Sequence, residues 1–143
     1  MSTETTSTKT VVSTVAAALR TSLSCPVETY RPPATVSDLC VTIYPRSQAE
    51  ETDLAVGNVF GTGWTLSVHI EHPWDNKATT AEGVIDVEDT IRAWVDTQRE
   101  IIAGYVMTTG RTEYVGINRP GRADPTFCAM MQLHIDLPRY PGG

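Results

Sequence analysis

His69, Glu71 and His72 fall within four residues of one another, and His134 lies in a second apolar-alternating segment near the far end of the chain. Two imidazoles and a carboxylate are ligands that zinc accepts, with His134 available as a fourth if the two segments pair side by side. That set would suit a small metal-dependent enzyme or a ligand-binding domain using His69, Glu71 and His134. Strand geometry works against it. Successive side chains of a strand point to opposite faces, so His69 and Glu71 share one face while His72 takes the other. The expected reading is therefore solvent- or subunit-facing histidines, with no metal and no cofactor. Were His69 and His134 to stand together, their contact would titrate near the ordinary imidazole pKa of ~6.5.

Other catalytic signatures are missing from the sequence. No G-x-S-x-G elbow occurs, and Gly57, Gly61 and Gly63 do not open a helix, so they lack the context of a phosphate cradle. Cys25, Cys40 and Cys128 are odd in number and have no C-x-x-C spacing, which points to reduced packing residues in place of a disulfide framework. An enzyme is not expected. Arg119 and Arg122 flank a Pro-Gly turn, a place where guanidinium groups commonly meet carboxylates of a neighbour.

The elements that would position these residues follow from periodicity. Val11, Val12, Val15, Leu19 and Leu23 form a helical stripe, with Ser7 or Thr8 as N-cap and Pro26 beyond its end. Residues 27–30 and 39–44 read as strands, the second ended by Pro45. Residues 46–62 show no sustained period and read as a long arm or binding loop, with a small hairpin tip at residues 56–59. Trp64, Leu66, Val68 and Ile70 then alternate with Thr65, Ser67, His69 and Glu71, up to Pro73.

A second helix is expected from a Thr80 cap to a stop at Gly104, with Val84, Val87, Ile91, Trp94, Val95, Ile101 and Ile102 on one face. Glu82, Asp86, Asp89, Asp96 and Glu100 gather opposite, either as a solvated face or as a negative wall that nucleic acid slides past. Strands over residues 111–117 and 127–137 complete the order. Two helices among mostly consecutive strands predict an α+β fold, a mixed and mostly antiparallel sheet with both helices on one face. They would cover the Trp64 and Met131/Leu133/Ile135 side, leaving the Thr65/Ser67/His69/Glu71 side to water or another subunit.

With 143 residues the chain fits one domain, with residues 1–9 and 138–143 as flexible ends. The net charge of -6 opposes binding to phosphate backbones, and no apolar run reaches the length of a membrane span. Charge is uneven: residues 1–103 hold 7 Lys/Arg against 14 Asp/Glu, and residues 104–143 hold 4 against 3. One end of a copy is thus suited to meet the other end of the next.

Taken in order over residues 10–137, these elements resemble the tail terminator proteins of long-tailed, lambda-like phages, which cap a completed tail tube. The resemblance is carried by the small-residue helix 11–23, strand 39–45, the long loop, and Trp64-Thr-Leu-Ser-Val-His-Ile-Glu71. An acidic amphipathic helix and two C-terminal strands follow. It implies a virion structural protein forming a homohexameric ring that ends tube polymerisation and offers its far side for head-tail joining. The implied partners are further copies of the chain, the tail-tube protein and a head-completion or connector protein. DNA would pass through the ring without specific binding, and no membrane is involved. The implied location is the host cytoplasm during assembly and then the virion, at the head-tail junction.

In such a ring, the loop residues Gln48, Glu50, Glu51, Asp53, Asn58 and Phe60 and the turn residues Arg119 and Arg122 are the expected contacts to the tube or neighbouring subunits. No family motif matches the loop itself. Another head-tail joining or tail-completion protein of similar build would share nearly all these features.

Overall fold

Ser7 starts the first helix by accepting a hydrogen bond from Thr10 N at 3.1 Å, which satisfies one of the amides that a helix N-terminus leaves open. The computed structural model describes residues 7–33, 35–53, 58–98, 101–102, 105–116 and 124–136. Its elements are α1 (Thr8–Ser22), β1 (Val27–Thr29), β2 (Cys40–Asp53), β3 (Asn58–Pro73), α2 (Ala78–Thr97), β4 (Val106–Val115) and β5 (Thr126–Asp136). The strand order is β1-β2-β3-β5-β4; β1 runs parallel to β2 and every other pairing is antiparallel. This is the α+β architecture expected from the sequence.

The apolar halves of the alternating strands meet both helices in one core. Val11, Val12, Val15, Ala16 and Leu19 of α1 and Val84, Ile91 and Val95 of α2 pack on Val41, Ile43, Trp64, Leu66, Val68, Ile70, Met131, Leu133 and Ile135. The helix stripe at 3.6 residues per turn and the strand alternation at two therefore point at the same layer.

Three expectations change. The second helix starts at Ala78, and Thr80 is a buried residue inside it; its hydroxyl donates to Asp75 Oδ1 at 2.5 Å instead of capping. It ends at Thr97, short of Gly104, although Ile101 and Ile102 still pack against the core. Burial continues past the helix because the chain stays on the core after the helical hydrogen bonds stop. Finally, Pro45 does not end β2, and residues expected to form an irregular loop continue as strand to Asp53.

The reason Pro45 is tolerated is directional. Val41 N bonds outward to Pro26 O, and Ile43 O accepts from Tyr30 N, so odd-numbered residues here turn their backbone groups away from β3. At Pro45 the missing N–H falls on that outer side, beyond the last β1 rung at Thr29↔Ile43. A bulge follows, with Arg46 inserted between the Pro45↔Leu66 and Ser47↔Thr65 rungs. β4, the opposite edge, carries its own bulge: Gly110 and Arg111 sit between the Thr109↔Leu133 and Thr112↔Met131 rungs. Gly110 suits that place because a Cβ would collide with His134 Nε2 and press on Gln132 Cβ.

Candidate functional site

β3 splits the histidines of the sequence cluster. His69 is buried on the face away from the helices, where the Tyr44 hydroxyl lies across its ring edge, 2.8 Å from Nδ1 and 2.7 Å from Nε2. Glu71, 2% exposed, accepts a hydrogen bond from the Thr126 hydroxyl at 2.5 Å. His72 points to the helix side, with Nδ1 2.7 Å from Pro73 O and Nε2 3.7 Å from Asp38. β5 does pair beside β3, but His69 sits opposite Met130 while His134 sits opposite Thr65. That four-residue offset is about 13 Å along a strand. His134 instead has Nδ1 3.1 Å from the Thr65 hydroxyl. Among the described residues, no three His, Cys, Asp or Glu side chains converge as a metal group.

The face expected to meet water or another subunit is largely buried: Thr42, Ser67, His69 and Glu71 are all below 9% exposure. β3 is the central strand, and from Gly63 to Glu71 its side chains have cross-strand neighbours on both β2 and β5. Thr42 and Met130 flank His69, and Cys40 and Cys128 flank Glu71. Among the described residues, no buried side-chain polar atom lacks a hydrogen-bond partner.

A second polar cluster, on the helix side, escaped the sequence reading. Glu88 of α2 is 3% exposed and accepts hydrogen bonds from Arg92 Nε at 3.0 Å and from the Tyr114 hydroxyl. Arg92 spreads its remaining donors over the β4 bulge: Nη1 to the Thr109 hydroxyl at 3.0 Å, and Nη2 to the Thr112 hydroxyl at 2.5 Å and Gly110 O at 3.3 Å. One guanidinium thus ties the helix to the edge strand. Burial pushes the Glu88 carboxyl pKa up, but hydrogen bonds from Tyr114, Thr112 and Arg92 outweigh it and hold the pKa below the ordinary 4.5. The bond to Glu88 in turn raises the Tyr114 hydroxyl.

A carboxyl with a lowered folded-state pKa contributes stability that is fully present above its unfolded value and lost as pH falls through the folded one. Glu88→Gln is therefore expected to cost stability at pH 7 and progressively less below pH 4.5, read from urea midpoints across that range. Arg92→Ala leaves the Glu88 charge with hydroxyl partners only and is expected to cost about 2–4 kcal/mol at pH 7. The only readable sign of the cluster was the i,i+4 spacing of Glu88 and Arg92.

The expected loop is a β-ribbon. β2 and β3 stay paired through Gln48↔Trp64, Glu50↔Thr62 and Glu51↔Gly61 to Asp53↔Asn58, with Phe60 the extra residue at a second irregularity. Of the expected tip at residues 56–59, Asn58 and Val59 belong to β3 and pair with Asp53 and Thr52, while residues 56–57 lie outside the described residues. β5 leaves β3 at the Gly63↔Asp136 rung, and β1 leaves β2 at Ile43. Residues 58–62 therefore pair with β2 alone, an arm about 17 Å long at ~3.4 Å per residue. The arm gathers Gln48, Glu50, Glu51, Asp53, Asn58 and Phe60 by backbone position. Arg119 and Arg122 lie outside the described residues. On α2, Glu82, Asp86, Asp89 and Asp96 are exposed, as the helical period required.

No family model and no curated protein matches the chain. Among solved structures, it is similar to the sheath/tube terminator of an extracellular contractile injection system, PVC, in the extended state. The two share 14% identity at a TM-score of 0.42, over 94% of this chain and 58% of the other, so the chain spans little more than half of that neighbour. A second solved chain, which carries no functional name, has 20% identity and a TM-score of 0.46, with 90% of this chain and 96% of that chain covered. Superpositions this loose define neither a shared family nor a shared activity. No helix among the described residues is long and apolar enough to cross a membrane.

Proposed function

We propose that the chain is a structural tail-completion subunit: copies close into a ring on the end of a finished tail tube, stop its polymerisation and offer the far side to a head-side connector. The observation that carries this reading is the arm. An isolated two-stranded ribbon is marginal in water, so a pair of strands extended about 17 Å past the sheet is suited to be completed by a partner surface. A heterologous contact of that kind closes into a ring when its rotation allows. The chain acts without catalysis or cofactor, and its net charge of -6 lets DNA pass through the ring without being held.

Negative-stain electron microscopy of tails assembled with and without the protein tests this. Overlong, uncapped tubes in its absence, and density on tube ends when purified protein is added, are expected. Unchanged tube lengths and ends overturn the reading, and binding to portal-side proteins alone replaces it with a different head-tail joining role.

A further inference from the structure

Three aromatic side chains from distant segments form a ladder on the helix side of the sheet. The rings of Tyr114 and Phe127 lie 6.3 Å apart and 27° from parallel, and those of Phe127 and Trp74 lie 6.1 Å apart at 32°. Tyr114, on the edge strand, is 52% exposed, and Phe127 and Trp74 are half-buried. The three rings thus make a continuous strip at most about 12 Å long. Its surroundings are acidic. α2 exposes Asp86 and Asp89, Asp124 lies next to Pro125, and Asp89 is close enough to add, after the Glu88 hydrogen bond and burial, to the upward shift of the Tyr114 hydroxyl. Arg92, which acts on the Tyr114 hydroxyl, is ion-paired with Glu88 at 3.0 Å.

An aromatic strip flanked by carboxylates is the surface chemistry that accepts a polyproline segment carrying a basic residue. The chain contains such a segment just past β5: Pro138-Arg139-Tyr140-Pro141, a P-x-x-P spacing with one cation. In a polyproline helix, three residues per turn place both prolines on one side, about 9 Å apart, which fits within the strip. We infer that the strip formed by Tyr114, Phe127 and Trp74 docks residues 137–143 of a second copy of this chain.

Reach excludes docking on the same copy. Phe127 stands near the start of β5 and Asp136 at its end, nine residues apart or about 30 Å. Pro141 is five residues past Asp136 and extends at most about 18 Å. The donor and acceptor surfaces therefore sit at opposite ends of β5, and the contact runs head to tail between copies. The inference rests on the ring reading and supplies one of the contacts that would link its subunits.

A fluorescently labelled peptide of residues 137–143, titrated up to millimolar into the full chain at low micromolar concentration, tests it by anisotropy. The expected result is saturable binding, weakened at least tenfold by Tyr114→Ala and by Asp89→Lys in the protein, and by Pro138→Ala with Pro141→Ala in the peptide. Asp89 is an exposed helix residue, so that variant keeps the test informative if Tyr114→Ala loosens the Glu88 cluster. Absence of saturable binding, or equal binding by both protein variants, overturns the inference. Equally tight binding of an unrelated P-x-x-P peptide also overturns it, in favour of a foreign proline-rich partner. Tube-end capping by a chain that fails to bind the peptide would sink the docking and leave the proposed function standing. Peptide binding by a chain that never caps tubes would do the reverse.

Discussion

A chain whose residues 50–62 are replaced by Asn-Gly is expected to fold and to lose tube-end binding altogether. The replacement joins Ala49 to Gly63, a rung of the existing hairpin and the last at which β5 still pairs with β3. A two-residue Asn-Gly turn matches the twist of an antiparallel pair, so the sheet inside that rung keeps every partner it has. The core residues described in α1, α2 and the strands all lie outside the removed segment. The thermal midpoint should therefore move by no more than a few degrees, the shift expected of about 1 kcal/mol in a domain of this size. Loss of capping in sedimentation with purified tubes, beside an unchanged circular dichroism melt, is the predicted pair of results. Retained capping would show that the arm is not the tube-facing element.

Trp64→Ala is the substitution expected to damage the fold most. The side chain is 1% exposed in the centre of the core, donates its indole N–H to the Thr8 hydroxyl at 3.0 Å, and packs against Tyr105 with ring centroids 5.3 Å apart. It therefore joins the first turn of α1, the central strand and the segment before β4. Truncating a buried tryptophan costs about 3–5 kcal/mol, a large share of the ~5–15 kcal/mol that holds a typical domain folded. Trp64→Phe keeps most of the packing and drops the hydrogen bond, so it should cost roughly 1–2 kcal/mol. Urea unfolding followed by circular dichroism gives both values. A cost under about 1.5 kcal/mol for the alanine variant would mean the site collapses freely and Trp64 is no keystone.

What the sequence made legible was whatever touched the core with a regular period. α1 with its cap at Ser7 or Thr8, the α+β class, and the inward sets Trp64/Leu66/Val68/Ile70 and Met131/Leu133/Ile135 all follow from local sequence signals, and the structure settles the cap on Ser7. The arm was illegible because residues 46–62 carry no sustained alternation in the sequence, and only the pairing of residues 58–62 with β2 reveals them as strand. The end of α2 was misplaced because Ile101 and Ile102 prolong an apolar stripe whose helix has already stopped. Burial of His69 and Glu71 was missed because polarity was equated with exposure, whereas a central strand hides short polar residues between its neighbours. The aromatic ladder could not be read at all, since Trp74, Tyr114 and Phe127 meet only once β4 and β5 are in register.

The outer edge of β2 has a consequence for how copies avoid one another. Past the last β1 rung it opens with a proline that lacks a donor and a bulge that breaks the ladder; along residues 47–63 the sequence then carries Glu50, Glu51 and Asp53 and no cation. Two arms laid side by side would bring like charges together with a frayed hydrogen-bond pattern between them. The projecting ribbon is thereby self-avoiding: crowded copies have poor means of zipping arm to arm into fibres, and raising the salt concentration should weaken that protection by screening it.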